Sequence, residues 1–160
     1  MCIRDRVNNH IKKMRLALFQ PDIPQNTGAM IRICACFDVG IDIIHPTGYV
    51  FNKKNIKQAA MDYISLVSLQ EHDSWNSYLE SNKDKRIILL STKGKIKYSD
   101  FQFKEDDCIL VGRESAGVPE KVFNAVDEVI TIPMSKNSRS LNVAVSAGIV
   151  LAETRRQLVT

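Results

Sequence analysis

The residues best placed to do chemistry in this chain fall in three short segments. The first reads Pro24-Gln25-Asn26-Thr27-Gly28-Ala29-Met30-Ile31-Arg32. Gly28 frees the backbone at a helix entrance, and Asn26 brings an amide into the loop. Arg32 follows one helical turn later, on the same face as Gly28. The second segment, Ile109 to Pro119, runs from a strand into a glycine turn at Gly112, then Arg113, the carboxylate Glu114, Gly117 and a proline-started helix. The third is Ile132-Pro133-Met134, a polar stretch from Ser135 to Arg139, then Ser140-Leu141-Asn142. Ser140 is the expected N-cap of a closing helix, with Asn142 in its first turn. Each segment alone also reads as an ordinary capped helix or strand–turn–helix. Three such loops at one end of a sheet make a ligand site.

Several chemistries are excluded by what these loops lack. No Gly-x-Gly-x-x-Gly follows a strand, so a dinucleotide site has no support. Gly112 and Gly117 have phosphate-loop spacing, but Val118-Pro119 stands where Lys-Ser/Thr is required. There is no Gly-x-Ser-x-Gly elbow. Cys34 and Cys36 are too close for a zinc knuckle and have no second pair, and His10, His45 and His72 are scattered. The four cysteines are expected as buried reduced thiols, with no metal and no disulfide.

The elements that must position the three loops follow from the apolar pattern. Strands are expected at Arg15–Phe19, Ile41–His45, Ile64–Leu69, Arg86–Leu90, Cys108–Val111 and Val129–Ile132. Helices are expected from a cap at Asn26 or Thr27 to about Phe37, over Lys53–Ala60, His72–Glu80, Val118–Ala125 and Ser140–Leu158. Short, solidly apolar strands alternating with helices predict an α/β fold, a parallel sheet with helices on both faces. Ligands in such sheets bind beyond the carboxyl ends of the strands. That rule nominates the loops after Phe19, Leu90, Val111 and Ile132.

Charge and composition point to a soluble domain without singling out a partner. The chain has 160 residues, 44% hydrophobic and 25% charged, ordinary for a globular protein. No apolar run approaches the roughly 20 residues that span a bilayer. No secretory signal opens the chain, so a cytoplasmic location is expected. Arg4, Arg6, Lys12 and Lys13 against Asp5 place +3 of the formal +4 in the first 14 residues. A whole-domain field therefore carries no nucleic-acid argument. The patterned chain starts at Met14. Residues 1–13 are expected as a disordered or artefactual tail, and 14–160 as one domain.

Together the three segments resemble the motifs of the SPOUT superfamily of RNA methyltransferases, most closely its TrmL (YibK-type) branch. The match covers Arg15 to Leu158 in order and spacing, and Ser91-Thr92-Lys93-Gly94 matches the branch's preceding loop. The resemblance implies a C-terminal deep trefoil knot, which general folding rules would not suggest. It implies S-adenosyl-L-methionine as cofactor, contacted by Leu90, Gly112, Ile132, Met134, Ser140 and Leu141. It implies a homodimer whose RNA site is shared across the interface. The expected reaction is methylation of the ribose 2′-hydroxyl of the wobble nucleotide, C34 or U34, in leucine tRNAs. One departure is plain: the branch often has a Tyr near the end of the closing helix, where this chain has Ala152.

The resemblance also points to Arg32 as the activating residue. Arginine stays protonated in proteins, so a cationic role fits better than a base. Arg32 would stabilise charge developing on the 2′-oxygen and hold a phosphate, with Asn26 orienting the ribose or Arg32. Lys93, Arg139, Glu114 and Asn142 complete the expected RNA-facing set. The alternatives are the same chemistry on another tRNA or rRNA position, or a non-catalytic RNA-binding factor. An unrelated flavodoxin-like nucleotide binder is disfavoured by the missing phosphate loops.

Overall fold

The computed structural model of the protein describes residues 14–159; the expected tail, 1–13, lies outside the described residues. Seven short strands form between turns: β1 (Arg15–Phe19), β2 (Gly40–Ile44), β3 (Leu69–His72), β4 (Ile87–Leu90), β5 (Ile96–Lys97), β6 (Cys108–Val111) and β7 (Glu128–Thr131). They build one sheet of order β3-β2-β1-β6-β4-β7-β5. Every pairing is parallel, as the unbroken apolar runs predict. Register is held by the buried centre, where Leu16 lies between Ile41 and Ile109.

Helices cover both faces. On one, Leu16, Leu18, Ile41, Ile43, Ile88 and Ile109 pack against α1 (Pro24–Phe37), α2 (Lys53–Ala60) and α5 (Val143–Leu158). On the other, Ala17, Phe19, Ile44, Leu89 and Leu110 meet Trp75 and Tyr78 of α3 (Trp75–Ser81) and Val122 of α4 (Glu120–Ala125). The alternation of neighbouring strand residues between two cores is the period-2 geometry of a strand buried on both sides. Asp42 is the exception within β2. It is buried but accepts from Arg15 Nε at 2.7 Å and sits 2.8 Å from His72 Nε2. Both partners are needed to hold a carboxylate there.

Several expected boundaries move. The predicted strand at 64–69 is instead a 3₁₀ turn, Met61–Leu66, and the strand begins at Leu69. Met61 ends α2 at φ 57, and Ser65 Oγ closes the turn on the Asp62 carbonyl at 2.8 Å. Ile64 and Val67, three residues apart, then reach the core from a 3₁₀ path. The helix expected to start at Asn26 or Thr27 begins at Pro24, with Ile23 as an N-cap lacking any side-chain hydrogen bond. Proline's fixed φ suits that first position and needs no cap. At the closing helix the cap is Asn142 rather than Ser140. Cys34 and Cys108 are buried, but Cys36 is exposed on the outer side of α1.

β5 has no counterpart in the predicted strands, because its two residues are both exposed and carry no period. It pairs with β7, Ile96 beside Ile130. Residues 91–107 therefore leave β4, pass to the far side of β7 and return to β6, so that β7 lies inside this excursion.

Candidate active site

Four loops leave the carboxyl ends of β1, β4, β6 and β7 on the same edge of the sheet. They enclose a cavity of about 460 Å³, within the range of small-molecule sites. It is lined by the last residues of three strands, Leu90, Val111 and Thr131, and by the loops that follow them. Gly112 makes the β6 loop possible. A Cβ there would stand 2.7 Å from the Gly117 carbonyl carbon. Gly117 takes the left-handed conformation, φ 64, and exchanges two 3.0 Å backbone hydrogen bonds with Arg113. The result is a tight hairpin whose backbone edges the cavity.

The β1 and β6 loops are tied together by carboxylates. The Asp22 backbone N–H donates to Glu114 Oε2 at 3.0 Å, and Ser115 Oγ bonds the Asp22 side chain. Burial, then the neighbouring Asp22 carboxyl, pushes the Glu114 carboxyl above its ordinary value. Hydrogen bonds from the Glu114 and Ser115 side chains hold Asp22 below its ordinary value. Glu114 Oε1 is buried without a hydrogen-bond partner, and Glu114 lines the cavity. Arg113 lies over the Phe19 ring, 5.4 Å from its centroid, and bonds the Gln20 side chain.

The β7 loop is braced by Ser135 and Ser138, whose hydroxyls are 2.8 Å apart. It delivers Asn142 to the start of α5. Asn142 Oδ1 accepts from the backbone of Ala144 and Val145, and its Nδ2 donates to Asn26 Oδ1 at 3.0 Å. The N-terminal ends of α1 and α5 are thus bridged by two amides across 116 residues of sequence.

The residues expected to do the chemistry divide into two groups. Asn26, Leu90, Gly112, Glu114, Ile132, Met134, Ser140, Leu141 and Asn142 all line the cavity. Arg32, Lys93 and Arg139 do not: all three side chains are exposed outside it. Arg32 projects from α1 over the ring of Tyr63. Ile23, Thr92, Arg113 and Ser146, to which sequence reasoning assigned no contact role, also line the cavity. Arg113 and Thr92 were adjacent to chosen residues. Asp22 gave no signal, since its partner Glu114 is 92 residues away. Among the described residues no group of three His, Cys, Asp or Glu is placed to hold a metal. No helix there is long and apolar enough to cross a membrane.

The sequence model of the SpoU rRNA methylase family matches residues 13–152. The chain belongs to the SpoU family. Among its SpoU-like relatives is the tRNA (cytidine(34)-2′-O)-methyltransferase of Beijerinckia indica subsp. indica. The two are 47% identical over 145 residues, 89% of this chain and 91% of the relative. A solved structure described as giving insights into the 2-OH methylation of C/U34 on tRNA superposes with TM-score 0.86 at 36% identity, covering 91% of this chain and 95% of that one. The SpoU methyltransferase AviRb of Streptomyces viridochromogenes, in complex with the cofactor AdoMet, has TM-score 0.82 at 21% identity over 89% of this chain and 57% of its own; this is a likeness of fold.

Proposed function

We propose that this SpoU-family protein methylates the ribose 2′-hydroxyl of the wobble nucleotide, C34 or U34, of tRNA with S-adenosylmethionine as methyl donor. The observation that carries the reading is the 47% identity to a tRNA (cytidine(34)-2′-O)-methyltransferase along nearly the whole of both chains. The motif loops that line the cavity described above belong to that matched stretch. Leucine tRNAs, implied by the sequence resemblance, are the first acceptors to assay. A tRNA substrate also favours a cytoplasmic location.

The cavity suits the cofactor. It offers apolar walls at Leu90, Ile132 and Leu141 and backbone edges at Gly112. It also carries the unpartnered Glu114 Oε1, an acceptor for a hydroxyl or ammonium group. Met134 and Ser140 would complete the contacts from the β7 loop. When bound, S-adenosylmethionine supplies an electrophilic methyl group. The protein's own share is orientation and charge. The Asn26–Asn142 bridge leaves the Asn26 amide N–H groups for a substrate oxygen. Arg32, always protonated, stabilises the charge developing on the 2′-oxygen and grips an adjoining phosphate, which takes up the departing proton. Lys93 and Arg139, exposed and next in sequence to the cavity-lining Thr92 and Ser140, serve as phosphate contacts.

Arg32 lies outside the cavity of its own chain, which favours a homodimer in which one protomer's Arg32 serves its partner's cavity. Exposed Ile23, Leu141 and Val145, at 40%, 40% and 51% of full accessibility, lie around the bridged ends of α1 and α5 and fit such an interface. The proposal includes residues 14–160 as one domain and a C-terminal trefoil knot. The excursion of residues 91–107 around β7, after which α5 packs beside Phe101 and Phe103, supports the knot.

The test is methylation of total tRNA with labelled cofactor, followed by mapping of the modified nucleotide. Label at the ribose of position 34 is expected. Label elsewhere in tRNA or only in rRNA overturns the assignment of substrate, and no cofactor binding at millimolar concentration makes the protein a non-catalytic RNA-binding factor. Arg32→Ala is expected to keep cofactor affinity and lower turnover by about 100-fold or more.

A further inference from the structure

Arg32 carries the proposed chemistry, yet among the described residues its guanidinium has no hydrogen bond or ion pair. A long exposed arginine with no partner samples many rotamers, and a group meant to meet a reacting oxygen loses rate with every one of them. One contact restrains it. Its guanidinium carbon lies over the ring of Tyr63, 4.9 Å from the centroid, within cation–π range.

The placement of that ring is built into the fold. Gly28, one helical turn before Arg32 on the same face of α1, touches the α2 backbone. A Cβ at Gly28 would stand 2.5 Å from the Ala59 carbonyl carbon and oxygen. No other residue permits the two helices this spacing. Two residues beyond Ala59, Met61 at φ 57 breaks α2 and turns the chain into the 3₁₀ segment that carries Tyr63. Tyr63 is half-buried and packs against the core beneath α1. The ring is therefore a fixed platform and the guanidinium the mobile partner.

Resting on the functional reading above, we infer that Tyr63 is a positioning residue that orients Arg32 for the methyl acceptor. Stacking on a π face is the one restraint that leaves arginine's in-plane donors uncommitted. A carboxylate partner would occupy the N–H fork and neutralise it. The ring fixes the plane and leaves the five donors for a phosphate and the 2′-oxygen. The aromatic ring does this work, and the Tyr63 hydroxyl does not.

Single-turnover methylation of tRNA with wild type, Tyr63→Leu, Tyr63→Phe, Arg32→Ala and the Arg32→Ala/Tyr63→Leu double variant tests this. Tyr63→Leu is expected to slow the methylation step roughly five- to tenfold with unchanged cofactor affinity. Tyr63→Phe recovers most of that loss. In the Arg32→Ala background, Tyr63→Leu changes nothing further. If Tyr63→Leu does not fold, Tyr63→Met, closer in volume, replaces it. A Tyr63→Leu rate equal to wild type while Arg32→Ala is inactive overturns the positioning role and leaves the functional reading standing. The same holds if Tyr63→Leu slows the Arg32→Ala variant by its full factor, which marks a purely structural effect. An Arg32→Ala enzyme as fast as wild type overturns both.

Discussion

Asn142 caps α5 and bridges to Asn26, and two substitutions separate these roles. Its Oδ1 takes hydrogen bonds from Ala144 N at 2.8 Å and Val145 N at 3.2 Å, while its Nδ2 donates to Asn26 Oδ1 at 3.0 Å. Asn142→Ala strips the first turn of its acceptor. Loss of such a cap costs about 1 kcal/mol. The exposed bridge to Asn26 adds about 0.5 kcal/mol. The sum, about 1.5 kcal/mol, lowers Tm by about 3–6 °C for a chain of this length. Asn142→Asp retains the acceptors and sets a negative charge at the positive end of the helix dipole, so its Tm stays within about 1–2 °C of wild type. It loses the donor to Asn26 all the same. Calorimetry paired with a tRNA methylation assay reads both consequences. Asn142→Ala is expected to be less stable and slower, and Asn142→Asp stable but slower. An Asn142→Ala protein that melts with wild type, or an Asn142→Asp protein as unstable as Asn142→Ala, would refute the capping reasoning.

Two further outcomes follow from other contacts. Gly112→Ala drives a Cβ to 2.7 Å from Gly117 and must spread the hairpin at the cavity edge, costing about 1–3 kcal/mol. Isothermal calorimetry should show weakened S-adenosylmethionine binding, and unchanged affinity would separate this loop from the cofactor. Glu153 is held down to about 2, first by the Arg156 side chain and then by Gln157. A depressed carboxyl stabilises the fold above its ordinary value of 4.5 and loses that contribution as pH falls through about 2. Arg156 is exposed, so solvent screening keeps the effect small. The stability gap between wild type and Glu153→Gln should therefore be level at neutral pH and close in strong acid; a gap that widens on acidification would contradict the pairing.

Much of the scaffold was legible because its strands are buried on both faces. Runs such as Cys108–Val111 and Ile87–Leu90 have no polar residue to blur them, and β6 was located to the residue. Boundaries slipped where a local preference competed with a better-fixed neighbour. Ser140 is a good cap in isolation, yet Asn142 holds the position, and it also reaches Asn26. The segment 64–69 is apolar enough for a strand, but Met61 starts a 3₁₀ turn upstream and only Leu69 enters the sheet. β5 was invisible because it is two exposed residues whose pairing is decided by β7.

Residue order alone therefore determined the parallel α/β class and the end of the sheet where ligands sit. It also marked nine of the residues that line the cavity. The class and the ligand end follow from short-range facts: apolar runs, turn residues, and the rule that loops at strand carboxyl ends converge. Six of the nine, Leu90, Gly112, Ile132, Met134, Ser140 and Leu141, were marked by the family resemblance of the motifs. Tertiary structure decided the rest, because it depends on distance across the chain. It joined Asp22 to Glu114 and Asn26 to Asn142, neither pair adjacent in sequence. It set β7 between β4 and β5, inside the chain's own excursion. It also placed Arg32 outside the cavity and over Tyr63, a contact fixed by the close approach of Gly28 to Ala59. Periodicity says which face of a helix is buried; only packing says what each exposed side chain meets.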